Sequence, residues 1–113
     1  MKRYASHYVL SPDMEWIRLH VVEVDGGEIK LYPVSEELYS IEWLPGVILV
    51  LPKNGNAIRQ ESYLQDIFIL AKHSSLQETF LTIRSEEWEI FYLSPFDFTL
   101  MQPVSETRRR QLL

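Results

Sequence analysis

The sequence contains no cysteine, which excludes a disulfide scaffold, thiol catalysis and a cysteine-based zinc site. Glycine is scarce, with four in 113 residues. Neither G-x-G-x-x-G nor G-x-x-x-x-G-K-S/T occurs, so no glycine-rich phosphate cradle is encoded. No apolar run approaches the ~20 residues needed to span a bilayer. The opening residues Met1-Lys2-Arg3-Tyr4 lead straight into polar and aromatic chain, without the apolar segment of a signal peptide. Positive charge is in deficit: 11 Lys and Arg against 16 Asp and Glu give a net charge of −5. That balance argues against non-specific nucleic-acid binding. The absences lead to the expectation of a cytoplasmic protein with no membrane contact, no nucleic-acid partner and no cofactor.

What the sequence does have is apolar material, with 46% apolar and 12% aromatic residues. At this length the chain fits one domain with a genuine core, since domains most often run ~100–150 residues. The first half is β in character. Residues 4–10 form an aromatic and β-branched run closed by Ser11-Pro12-Asp13, a turn signal. Residues 16–24 are rich in β-branched side chains. Asp25-Gly26-Gly27 then offers the positive-φ positions of a tight hairpin turn, and residues 28–32 alternate up to Pro33. Residues 34–39 read as a polar connector with room for one helical turn. Residues 40–43 are a short strand, Leu44-Pro45-Gly46 a turn, and residues 47–51 an unbroken apolar strand to be buried on both faces. Pro52-Lys53-Asn54-Gly55-Asn56 is the clearest break.

Beyond the break the period changes. Leu64, Ile67, Phe68 and Ala71 fall at i, i+3, i+4 and i+7, which predicts a helix over residues 60–72. Ser75 to Glu78 has the spacing of a capping box. Residues 79–84 and 88–93 read as a second hairpin around Ser85-Glu86-Glu87. Ser94-Pro95 should break it, with residues 96–101 as one more strand. Residues 104–113 read as a polar, basic tail behind a single β-rich domain over residues 1–103.

The segment 16–51 resembles the small N-terminal β-sandwich segment of amidohydrolase-superfamily enzymes. The resemblance rests on the hairpin Val22-Glu23-Val24-Asp25-Gly26-Gly27-Glu28-Ile29 and on the step Trp43-Leu44-Pro45-Gly46-Val47-Ile48. In that family the following strand supplies metal ligands. Here the ligand positions hold Leu49, Leu51 and Lys53, which offer no suitable lone pair. The remaining chain is also too short for a (β/α)8 barrel, which needs ~200 residues or more. The resemblance therefore implies the β-domain without the catalytic barrel, and it carries over no catalytic or metal residue.

Among candidate chemical groups, His7 and His20 stand out. A four-residue loop after Ser11 would set the two opposite each other, within ~4.5–5.5 Å at Cβ. They would share a largely apolar face with Val9, Val22, Ile29 and Leu31. A metal needs a third ligand, and spacing fixes none; His73 and Glu23 are the available donors. A structural histidine pair accounts for the same residues, so no metal is expected. A Ser-His-Asp set is spatial rather than sequential, but no G-x-S-x-G elbow is present. The paired carboxylates Glu36-Glu37 and Glu86-Glu87 read as solvated turn residues. Arg108-Arg109-Arg110 is the one basic cluster, either a solvated tail or a dock for an acidic partner. In residues 88–93 aromatics alternate onto both faces, so Trp88, Phe91, Tyr92 and Phe96 are candidate interaction residues unless the helix covers them.

These readings converge on a mostly β domain, a β-sandwich or partly open barrel of about seven or eight short strands with one helix. The expected function is a non-enzymatic interaction or accessory module with a protein partner or a homodimeric copy. The alternative is a small ligand-binding protein or enzyme with an aromatic and histidine-lined pocket.

Overall fold

Short runs of alternating or wholly apolar residues, each closed by Pro, Gly or Asp, leave this chain little option but short strands. The computed structural model describes residues 1–36, 40–53, 61–75 and 78–113. In chain order the described strands are β1 (Lys2–Ala5), β2 (Tyr8–Leu10), β3 (Glu15–Arg18), β4 (His20–Asp25), β5 (Glu28–Pro33), β6 (Ile41–Trp43) and β7 (Val47–Pro52). Helix α1 (Glu61–Leu70) follows, then β8 (Lys72–His73), β9 (Leu81–Arg84), β10 (Trp88–Asp97) and β11 (Gln102–Gln111). They build two open sheets, ordered β6-β1-β4-β5-β9 and β11-β10-β7-β2-β3-β8. No described helix is long and apolar enough to cross a membrane.

The β4–β5 hairpin forms as the glycines require. Asp25 pairs with Glu28, and Gly26 takes φ 61°. Gly27 stays outside the left-handed region, so one of the two glycines is conformationally demanded. The run 4–10 is not one strand. It breaks at Ser6-His7 so that β1 joins the first sheet and β2 the second. The Ser6 hydroxyl donates to the Gly46 carbonyl at 2.5 Å and holds that break against the Leu44-Pro45-Gly46 turn. The chain returns to the first sheet at Leu19, which adopts φ 54° between β3 and β4.

The sheets pack face to face over Tyr4, Val9, Ile17, Val22, Ile29, Leu31, Ile48, Val50 and Ile90. On its other face the second sheet carries Leu10, Trp16, Leu49, Leu51, Phe91 and Leu93, covered by Ile67 and Phe68 of α1 and by Phe96 and Met101. Strand β7 lies between β10 and β2 and supplies both clusters, so residues 47–51 are buried on both faces. Each such fully buried aliphatic side chain contributes roughly 1.5–3 kcal/mol. The expected helical stripe is used at Ile67, Phe68 and Ala71. The side chain of Leu64 lies outside the described residues, as do positions 37–39 of the 34–39 connector, positions 54–56 of the break over 52–56 and positions 76–77 of the capping box.

Further expectations are corrected. Residues 79–84 and 88–93 do not form a hairpin: β9 pairs with β5 and β10 with β7, in different sheets. The 3-10 turn Ser85–Glu87 carries the chain across, with the Ser85 N–H donating to the Gly27 carbonyl at 2.8 Å. Ser94-Pro95 does not end a strand; it sits within β10 as a cis peptide, and β10 runs on to Asp97, followed by a turn over residues 98–101. The supposed polar tail is β11, a ten-residue edge strand whose residues Arg108 to Gln111 pair with Ser94 to Phe91. The described strands therefore number eleven rather than seven or eight.

Candidate interaction site

The histidine pair does not form. Ser11 donates its N–H to the Glu15 carbonyl and accepts the Met14 N–H, both at 2.9 Å. The loop is thus Pro12-Asp13-Met14, one residue shorter than expected, with Met14 at φ 62°. The register moves by one: Tyr8 pairs with Arg18, and the His7 carbonyl receives the Leu19 N–H at 3.4 Å. A one-residue slip reverses which face a side chain occupies. His7 is left exposed, while His20 is buried on the other side of the crossover.

His20 is fully committed. Its Nδ1–H donates to the Arg18 carbonyl at 2.7 Å, and its Nε2 accepts the Thr79 N–H at 3.0 Å. The two backbone partners fix the tautomer. Burial holds the imidazole pKa below its ordinary value, against the opposing pull of the Arg18 carbonyl and Glu78. With both nitrogens on backbone groups, His20 has no lone pair left for a serine or a metal. His7 accepts the Gly46 N–H on Nδ1 at 3.3 Å. Among the described residues no three His, Asp or Glu side chains gather closely enough to hold a metal.

Glu23 has a different partner set from the one considered. Its Oε1 accepts from Arg3 Nε at 2.8 Å and from the Tyr32 hydroxyl at 2.7 Å on the outer face of the first sheet. The Tyr32 bond, then Arg3, hold the Glu23 carboxyl below the usual carboxylate range. Burial and the Glu23 charge push the Tyr32 phenol up. This is an anchored carboxylate rather than a general base, since both its donors stabilise the ionised form.

The aromatic candidates are largely internal. Phe91 and Phe96 are buried in the cluster beneath α1, and Trp88 and Tyr92 pack half-buried on the cluster between the sheets. Tyr92 also donates its hydroxyl to the Pro45 carbonyl. Leu49 and Leu51 lie in the same cluster as Phe91. The rings of β10 thus lean into both clusters, Phe91 and Phe96 buried and Trp88 and Tyr92 half-buried.

What the C-terminal hairpin does expose is its far edge and a groove. Asp97 Oδ1 accepts the N–H groups of Thr99 and Leu100 at 2.8 and 3.0 Å, bending the chain after β10. Met101 (φ 52°) completes the turn and buries its side chain. Between the pairs Phe96↔Pro103 and Ser94↔Arg108, β11 bulges outward. The Thr107 hydroxyl fastens the bulge, accepting the Val104 N–H at 2.8 Å and donating to the Pro95 carbonyl. An open groove of about 1350 Å³ results between α1 and β11. Leu93 and Met101 form its floor, Ile69, Leu100 and Val104 its apolar rim, and Arg108 and Arg109 border it. Ile69 is 79% exposed and Leu100 64%. No sequence signal marked these residues, because a groove rim shows no periodicity.

A second surface is aromatic. The rings of His73, Tyr8, Phe98, His7 and Trp43 follow one another at centroid distances between 4.9 and 6.0 Å. The Arg18 guanidinium lies 5.8 Å from the Tyr8 ring.

No protein-family model, curated protein or solved structure matches this chain.

Proposed function

We propose that this protein is a non-enzymatic interaction module whose contact surface is the groove between α1 and β11 together with the outer edge of β11. The observation that carries the reading is the coincidence of two unpartnered features. Among the described residues no strand pairs with the outer side of β11, and exposed Ile69, Leu100 and Val104 line the groove that β11 borders. Exposed apolar side chains in a contiguous patch mark contact surfaces. The groove exceeds the ~300–1,000 Å³ of common small-molecule pockets, and it is open, which suits a segment of chain.

The alternative, a small-ligand site lined by aromatics and histidine, draws on the ring series from His73 to Trp43. Its members His7, His73 and Trp43 are exposed at the surface, a platform rather than a cleft.

Selection of a displayed random-peptide library against the protein tests the interaction reading. Binders should be enriched, and most should lose binding to a Leu100→Asp/Val104→Asp variant. Enrichment of none, or of binders indifferent to that variant, would remove the groove from consideration.

A further inference from the structure

We infer that the β11 edge accepts an acidic, extended segment of another protein as an additional strand, and that the same edge refuses a second copy of this chain. The inference rests on the interaction reading above and specifies its partner. Strand β11 is terminal in its sheet, and Arg108, Arg109 and Arg110 are consecutive and exposed within it. Successive strand residues point to opposite faces. Arg109 stands opposite Leu93 on the groove side and Arg110 opposite Tyr92 on the other, while Arg108, opposite Ser94 at the end of the bulge, also borders the groove. A strand added at this edge therefore meets positive charge above and below its plane.

The sign of that charge is opposite to that of the molecule. Three of the 11 Lys and Arg residues of a chain with net charge −5 are gathered on this one edge. Opposite charges on directly paired strand positions stabilise the pairing, and like charges weaken it. Two copies of β11 paired antiparallel about Arg109 would set Arg108 against Arg110 and Arg109 against itself. An alternating Glu or Asp segment in the matching register sets acidic residues opposite Arg108 and Arg110 and apolar ones opposite Arg109. Its apolar residues would turn toward Ile69, Leu100 and Val104. Main-chain bonding supplies affinity and alternate side chains supply selectivity in such strand addition. The bulge at residues 104–107 ends the regular pairing with β10 and so bounds the site to the stretch from Arg108 onward.

Charged residues on an edge can also serve only to repel other strands, and a basic cluster can bind any polyanion. Fluorescence anisotropy with a short labelled peptide alternating Glu and Val separates these cases. Three further probes are used: the same peptide N-methylated on alternate backbone nitrogens, a Lys/Val counterpart, and an oligothymidylate of equal charge. The acidic peptide should bind, more weakly as salt rises, and the Lys/Val peptide should not. Backbone methylation and the Arg108→Glu/Arg110→Glu variant should each weaken binding by about tenfold or more. These arginines are exposed, and circular dichroism checks that the variant folds. Equal binding of the methylated peptide, or of the oligothymidylate, would overturn strand addition in favour of charge alone. Absence of acidic-peptide binding would also overturn it. If groove-dependent neutral peptides emerge from the library while the acidic peptide fails, this inference falls and the interaction reading stands.

Discussion

His20 and Thr79, 59 positions apart in sequence, are joined by a 3.0 Å hydrogen bond from the Thr79 backbone N–H to the His20 Nε2. The bond ties the approach to β9 onto the crossover between the two sheets, and it exists only while the imidazole is neutral. The His20 pKa is lowered by burial from a reference of 6.5. The unfolded chain thus takes up this proton more readily than the folded one, so stability is fully present above the unfolded value and declines as pH falls through it. Melting curves between pH 8 and pH 5 should show a falling Tm below about pH 6.5. In His20→Gln that fall should flatten. An equally steep fall in the variant would mean that another group titrates.

The carboxylate on the outer face of the first sheet acts in a lower window. Because the Tyr32 bond is the main cause of the depressed Glu23 pKa, Glu23 adds stability above its reference value of 4.5 that is lost as pH falls through its folded value. Tyr32→Phe should make the acid limb of the stability profile shallower. An unchanged limb would show that Arg3 alone holds the charge.

The glycines separate by what a side chain would meet. A Cβ on Gly46 (φ 137°) would lie 2.3 Å from the Leu93 carbonyl oxygen, whereas nothing stands within 4 Å of one on Gly26 or Gly27. Gly46→Ala should therefore cost more than ~2 kcal/mol or prevent folding, through forced displacement of backbone. Gly26→Ala (φ 61°) should cost roughly 1 kcal/mol, and Gly27→Ala close to nothing. Urea denaturation of the three variants checks the order.

Leu49 is fully buried in β7. Leu49→Ala should cost roughly 2–5 kcal/mol. Leu49→Asp leaves an uncompensated buried charge and should unfold a domain whose whole stability is of order 5–15 kcal/mol. A soluble Leu49→Asp protein with an unchanged Tm would place this strand at the surface.

The sequence announces the parts of the fold in which side-chain burial and turn chemistry agree. Residues 47–51 are apolar throughout and are buried throughout; Gly26 sits where a tight turn needs it; Ile67 and Phe68 face the sheet as their spacing requires. The misreadings have local causes. The β2–β3 loop places Met14, not glycine, in the left-handed region, so its length carried no signal, and the one-residue error separated His7 from His20. Leu19 and Met101 hide two further turns in the same way. Strand β11 is an edge strand with polar and basic side chains, and an exposed edge imposes no alternation for a reader to detect. The groove of the candidate site depends on how α1 meets that strand, a long-range matter that composition and period do not express.

Amide hydrogen exchange, resolved by residue, in the presence and absence of the Glu/Val peptide distinguishes strand addition at β11 from every other mode of contact. Exchange should slow in β11, concentrated from Arg108 to Gln111, with little change in β6 or β9 at the edges of the other sheet. Bound peptide that leaves β11 exchange unaltered, or that protects another edge instead, would contradict it.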